Sequence, residues 1–197
     1  VVALLFFGPL GYVVWRNLST GADLFAELRQ GQALASLGRT VFLAVTVSAG
    51  AALLGTSLAW LTMRTDLPGR RVWRVLVPLP LVFPSFVGAL AFINAFAEGG
   101  LVDEWFGVSA VIQLHGWFGS WLVLVLFTQP YVYLPVAARL GAQPPSLEES
   151  ARLLGRRPRS VFRTVVLPQT SGAIWAGTLL VFLYTVSEFG AVQLMGY

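Results

Sequence analysis

"EESARLLGRRPRSVFRTVVLP", Glu148 to Pro168, carries five arginines and two glutamates in a chain of 197 residues that is 56% hydrophobic and only 11% charged. Uncharged apolar runs flank it, Gly116 to Ala138 on one side and Thr164 to Ser187 on the other. Crossing about 30 Å of hydrocarbon takes roughly 20 helical residues, and each run is long enough. A charged segment between two such runs is a loop held at a membrane face. The chain therefore reads as an all-α, polytopic membrane helical bundle.

The loop has local order of its own. Pro144 and Pro145 stop a helix leaving the preceding span. Ser146 stands three residues before Glu149, the spacing of a capping box in which hydroxyl and carboxylate satisfy each other's backbone amides. Leu147, Ala151 and Leu154 fall on one face of a short helix. Arg152, Arg156 and Arg157 gather near its end, where cations suit the helix dipole. Gly155 supplies the left-handed residue that ends it. Pro158 is placed to open a second helical segment, and Pro168 marks the entry into the last span. So short a helix is not stable alone in water. It needs a partner: the protein's own spans or lipid headgroups drawn to arginine, or a separate cytoplasmic protein. The residues alone leave these open.

Working outward, the mean hydropathy is +0.74. A soluble domain is about a quarter charged, so the low charge points to lipid as the solvent for much of the surface. There is no cysteine and one histidine, His115, which excludes disulfides, cysteine nucleophiles and histidine-rich metal sites. No Walker A pattern, Ser-His-Asp set or zinc spacing is present. The chain is not expected to be an enzyme, to hold a metal or cofactor, or to hydrolyse ATP itself. All 13 basic residues are arginine, placed in short loops where they read as topology signals rather than as a nucleic-acid surface.

Two further runs, Thr40 to Met63 and Val75 to Ala97, bring the strong candidate spans to four. Val1 to Trp15 is apolar but short and lacks the marks of a signal peptide. It reads as a fifth span cut short. The loop Arg64 to Arg74 has a net charge of +3 and Arg139 to Arg163 a net of +4, whereas Glu98 to His115 has three acidic residues and no arginine. Arginine-rich loops stay cytoplasmic, which places 64–74 and 139–163 inside and 16–39 and 98–115 outside. Pro78, Pro80 and Pro84 fall in the third span and Pro130 and Pro135 in the fourth. Proline removes a backbone donor, so these spans are kinked against neighbours, or the third is broken where it lines a pathway.

Glu188 is an ionisable residue inside a span, a costly placement that marks function by default. It faces a path for a hard cation or holds a gate, or else it snorkels to water or pairs with an arginine. Ser187 beside it and Asn94 on the third span are the other path candidates. Interhelical hydrogen bonding is the expected role for Asn94 and Gln129 alike, with the path as the other reading of Asn94. Trp60, Trp73, Trp117 and Trp121 read as interface anchors, and Gly50, Gly55, Gly88 and Gly177 as sites of close helix packing.

Glu149-Ser150-Ala151, three residues, Gly155, nine residues, then Val165-Val166-Leu167-Pro168 resembles the EAA signature of ABC importer permeases. Ser150 stands for an alanine and Val165 for an isoleucine of that pattern. "PLPLVFPSFVGALAFINAF" (Pro78 to Phe96) and "LVFLYTVSEFGAVQLMGY" (Leu180 to Tyr197) resemble the iron(III)-type branch. The resemblance implies the type I ABC importer permease fold, one transmembrane domain over 1–197 with a coupling segment at 143–168, and a bacterial inner-membrane location. It also implies that Ser146, Leu147, Glu148, Glu149, Ser150, Ala151, Leu154, Gly155, Arg156 and Pro168 serve ATPase coupling. The expected partners are a cytoplasmic ATPase dimer carrying ATP-Mg, an extracytoplasmic substrate-binding protein, a second permease half, fused or separate, and lipid. The chain then reads as part of a longer protein. Ferric iron is the expected substrate; thiamine, polyamine or oxyanion permeases are alternatives, as is a secondary transporter or membrane scaffold.

Overall fold

The computed structural model describes residues 8, 11–12, 14–16, 32–106, 115–144, 146 and 153–197. Two compact units, Val1–Val41 and Phe42–Tyr197, divide the chain. In the first, the described residues are helical. No strand occurs among the described residues. The helices are α1 (Gln32–Arg64), α2 (Arg70–Leu76), α3 (Ser85–Phe96), α4 (Leu101–Phe106), α5 (Gly116–Thr128), α6 (Pro130–Ala142), α7 (Pro158–Val161), α8 (Leu167–Ser187) and α9 (Gly190–Leu194). A 3-10 turn at Leu79–Val82 precedes α3, and a π-turn at Phe162–Val166 precedes α8.

Among the described residues, three helical stretches are long and apolar enough to cross a membrane: Leu34–Arg64, Gly116–Ala142 and Phe162–Ser187. The pair Arg70–Val82 and Ser85–Phe96 is apolar enough for a further crossing only when taken together, and it is bent by 101°. The fifth expected span, Val1 to Trp15, lies mostly outside the described residues. The second expected span begins earlier than its apolar run, because α1 continues back through the polar residues from Gln32.

Leu43, Val47, Ala51, Gly55 and Ala59 recur every fourth residue of α1 and are all buried. That spacing stacks them along one helix face. The face is made of small residues for a reason. A Cβ on Gly55 would sit 2.7 Å from the Gln129 carbonyl oxygen, and one on Gly50 would sit 2.8 Å from Val125 Cγ2. Lipid offers no hydrophobic drive between helices, so close backbone approach supplies the packing.

The two span prolines of α5 and α6 do not divide that crossing; only a turn at Gln129 interrupts it. Pro135 cannot donate to the Tyr131 carbonyl one turn back. That carbonyl instead lies against α8, where a Cβ on Gly177 would approach it to 2.7 Å. Pro168 likewise cannot donate to the Thr164 carbonyl. The chain widens there into the π-turn, and the Leu167 amide donates to the Phe162 carbonyl five residues back.

The third span is broken, not merely kinked. Leu81 donates to the Pro78 carbonyl at 3.1 Å instead of continuing the α pattern to Val77. The Val77 carbonyl thereby loses its helical partner, which is costly in a membrane unless another group supplies one. Buried Gln129 does so, its Nε2 donating to that oxygen at 2.9 Å. The expected interhelical role of Gln129 is met, and the break dictates which atom it serves.

Candidate functional site

Two helix breaks meet. One is the turn at Phe83 and Pro84, after which α3 begins at Ser85. The other is Glu188, which ends α8 in an extended conformation (φ −77°, ψ 122°) before α9. Ser85 Oγ donates to Glu188 Oε2 at 2.8 Å. The Ala191 amide donates to Glu188 Oε1 at 3.0 Å, so both carboxylate oxygens are engaged. Tyr184 donates its phenolic hydrogen to Ser85 Oγ at 3.1 Å. The Tyr131 ring, from α6, lies 5.7 Å from that of Tyr184. Gly190 makes the approach of α9 to α3 possible: a Cβ there would sit 3.2 Å from Phe86 Cβ.

Beside this cluster is a cavity of about 240 Å³, lined by residues 80–85 of the break with Phe127, Tyr131 and Tyr184. Among the described residues no donor reaches the Phe83 carbonyl at the break. Non-helical backbone at membrane depth is tolerated where it is buried in protein or lines a water-filled cavity. Two phenols, a serine hydroxyl and broken backbone thus line one small chamber, and the lining serine donates to the Glu188 carboxylate outside it.

Of the three path candidates, Glu188 alone reaches another span. Asn94 is exposed and donates to Leu90 O of its own helix at 2.8 Å. Ser187 is exposed and donates to Tyr184 O at 2.8 Å. Sequence reasoning missed Ser85 and Tyr184. Both had a signal: Tyr184 precedes Glu188 by four residues, hence the same helix face, and Ser85 follows the proline that starts α3. Among the described residues, the Glu188 carboxylate is held by a serine hydroxyl and a backbone amide.

The arginine-rich segment at 143–168 is the second candidate site. Leu147, Glu148, Glu149, Ser150 and Ala151 lie outside the described residues, as does the capping box they would complete. Ser146 is helical and exposed. Gly155 has φ +77°, the left-handed conformation expected of it. Leu153 and Leu154 are 88% and 83% exposed. Arg156 Nη1 donates to Thr164 Oγ1 at 3.1 Å, and α7 opens at Pro158. Trp60 packs edge-on against Phe162 at 5.5 Å, and Trp121 Nε1 donates to Thr46 O at 3.0 Å. These two tryptophans join elements within the fold, beyond the anchoring role their positions suggested.

Helical spans, a broken crossing and a cytoplasmic loop with this spacing define a class, the membrane-embedded part of a binding-protein-dependent importer. Residues 51–197 match the family described as "Binding-protein-dependent transport system inner membrane component", and the chain belongs to it. It is a multi-pass inner-membrane protein and an ABC importer permease. It is 32% identical to the Fe(3+)-transport system permease protein FbpB 2 of Haemophilus influenzae over 96% of this chain, spanning 35% of that protein. It is 29% identical to the sulfate transport system permease protein CysT of Escherichia coli over 97% of this chain and 69% of that one. The molybdenum transport system permease protein ModB of Escherichia coli is 31% identical over 78% of this chain and 69% of its own length. The fold resembles a crystal structure of an amino acid ABC transporter solved with histidines. The TM-score is 0.59 at 21% identity, covering 89% of this chain and 78% of that one.

Proposed function

We propose that this chain forms part of the transmembrane path of an importer for ferric iron. An extracytoplasmic binding protein delivers the substrate, and a separate cytoplasmic ATPase dimer carrying ATP-Mg drives transport. The observation that carries the reading is the 32% identity, over nearly the whole chain, to a permease named for Fe(3+) transport. The chamber agrees with it. No basic side chain is among its lining residues and a carboxylate stands behind it, which suits a hard cation better than an oxyanion.

The coupling role rests on the loop. Leu153 and Leu154 are apolar side chains held out from the protein among arginines, a surface that needs a partner. ATP binding closes the ATPase dimer, draws the coupling segments together and shifts the spans from inward-open to outward-open. The ATPase achieves this only by binding one permease conformation better than the other.

The relatives named for sulfate and molybdenum favour an oxyanion as the second reading. Uptake into cells or vesicles of labelled ferric iron, sulfate, molybdate, thiamine and a polyamine decides. Iron accumulation is the expected result, and uptake of another substrate in its place overturns the iron assignment. Coupling is tested by Gly155→Pro and Glu149→Arg. Each is expected to abolish binding-protein-stimulated ATP hydrolysis; unchanged stimulation in an assembled complex overturns the coupling role.

A further inference from the structure

We infer that Arg64 is a positioning residue that ties the root of the cytoplasmic segment to the end of α1, so that the two move as one body. The inference rests on the reading of that segment as the ATPase-facing lever. The arginines at this membrane face were legible as topology signals, but the structure gives several of them bonds that join spans.

Helix α6 ends at Ala142 and cannot continue, because Pro144 follows. The Gln143 amide closes the last turn on the Leu140 carbonyl at 3.3 Å, and that carbonyl's second lone pair and the Gln143 carbonyl beyond it are left to other donors. Arg64, the final residue of α1, fills that need: its Nη2 donates to Leu140 O at 2.9 Å and to Gln143 O at 3.1 Å. A cation there also faces the negative end of the helix dipole. Leu140 is only 1% exposed, so this bond belongs to the packed body of the protein. Gly141 leaves room for Met63, whose Cε would lie 3.1 Å from a Cβ at that position.

The same carbonyl frame reaches the far end of the segment. Arg139 Nε and Gln143 Nε2 converge on the Gln169 carbonyl of α8 at 3.3 Å and 3.5 Å. The point where the chain leaves the bundle is therefore joined to the point where it returns. Arg74, at the start of the broken crossing, donates from Nε and Nη2 to Thr62 O, both at 3.2 Å. Of these links, the Arg64 pair is the shortest and the one that joins the lever's root to α1. Displacing Gln143 must either carry the end of α1 along or break the Arg64–Gln143 bond, and displacing the end of α6 with it strains the Leu140 bond as well. Since α1 meets α5 and α6 from Phe42 to Arg64, carrying its end along moves the spans.

The test uses the complete importer with its ATPase and binding protein in proteoliposomes. The chain has no cysteine, so spin labels can be placed specifically at Leu61→Cys and Ala142→Cys, both at exposed positions. The label distance is expected to be the same in the nucleotide-free and ATP-trapped states. In Arg64→Ala it is expected to differ between those states. Substrate carried per ATP hydrolysed should fall about tenfold, the size of a typical coupling between sites, with ATPase capture retained. Arg64→Lys keeps charge and donors and should restore most of the yield. A label distance that changes with ATP in the otherwise native chain overturns the inference, even if Arg64→Ala does not assemble. So does Arg64→Ala with native distances and native yield. A native chain that captures no ATPase overturns the lever reading beneath it, a distinguishable result.

Discussion

Ser85 and Glu188 are 103 residues apart in sequence, and a 2.8 Å hydrogen bond joins them. Each stands at a break in its crossing, so one bond sets how two half-helices meet. An amide at 188 offers one acceptor where the Ser85 hydroxyl and the Ala191 amide both donate. A hydrogen bond to a charged group contributes about 1.5–3 kcal/mol. Glu188→Gln is therefore expected to lower substrate uptake about tenfold or more while the amount of protein in the membrane stays near normal. Uptake assays paired with immunoblots check this, and normal uptake would return Glu188 to a purely structural role.

Close backbone contact makes a separate prediction. At Gly55 and Gly177 an added methyl would meet backbone atoms at 2.7 Å, which cannot swing aside. Overpacking of this kind costs about 1–3 kcal/mol. Gly55→Ala and Gly177→Ala should lower the thermal midpoint of the purified protein in detergent. Gly172→Ala, with nothing within 4 Å of the new methyl, should leave it unchanged.

Gln129 serves the broken crossing from its buried position on the neighbouring one. Gln129→Leu removes the donor and leaves the Val77 carbonyl facing apolar side chains, at a cost of about 1–3 kcal/mol. The expected outcome is a lower thermal midpoint. Gln129→Glu should cost less than Leu, because a carboxyl buried there takes up a proton and can donate it to the same carbonyl. The ranking of the two melting curves checks the account.

Gly155, at φ +77°, holds a turn within the proposed coupling segment. A residue with a Cβ pays about 1–2 kcal/mol in that conformation, and Asn bears it better than Ala. Binding-protein-stimulated ATP hydrolysis should therefore fall in the order Gly, Asn, Ala at this position. Equal activities would show that the turn does not limit coupling.

Much of the bundle was legible beforehand. The runs from Thr40, Gly116 and Thr164 became α1, α5 with α6, and α8, because twenty uncharged residues admit few other structures in lipid. Gly155 and Pro158 took the conformations their chemistry demands. The triplet Pro78, Pro80 and Pro84 announced trouble in the third crossing, but not its 101° bend. Proline removes a donor at a known position; where the freed carbonyl then turns depends on what lies beside it.

The candidate site was less legible. Glu188 stood out because a carboxylate in a span is rare, and Asn94 and Ser187 were selected with it on polarity alone. Polarity does not report direction, and both bond to their own helices. Ser85 and Tyr184 are ordinary in sequence and matter only through what they touch.

The sequence by itself determined that the chain crosses a membrane several times and that its arginine-rich segment turns at a left-handed glycine, Gly155. Those follow from transfer energies and backbone sterics, which act over a few residues. Only the tertiary structure decided that Ser85 holds Glu188, that Gln129 serves Val77 and that Arg64 grips the end of α6. Such pairings join residues 52 to 103 positions apart. They arise because carbonyls and carboxylates in lipid must find donors wherever packing brings them.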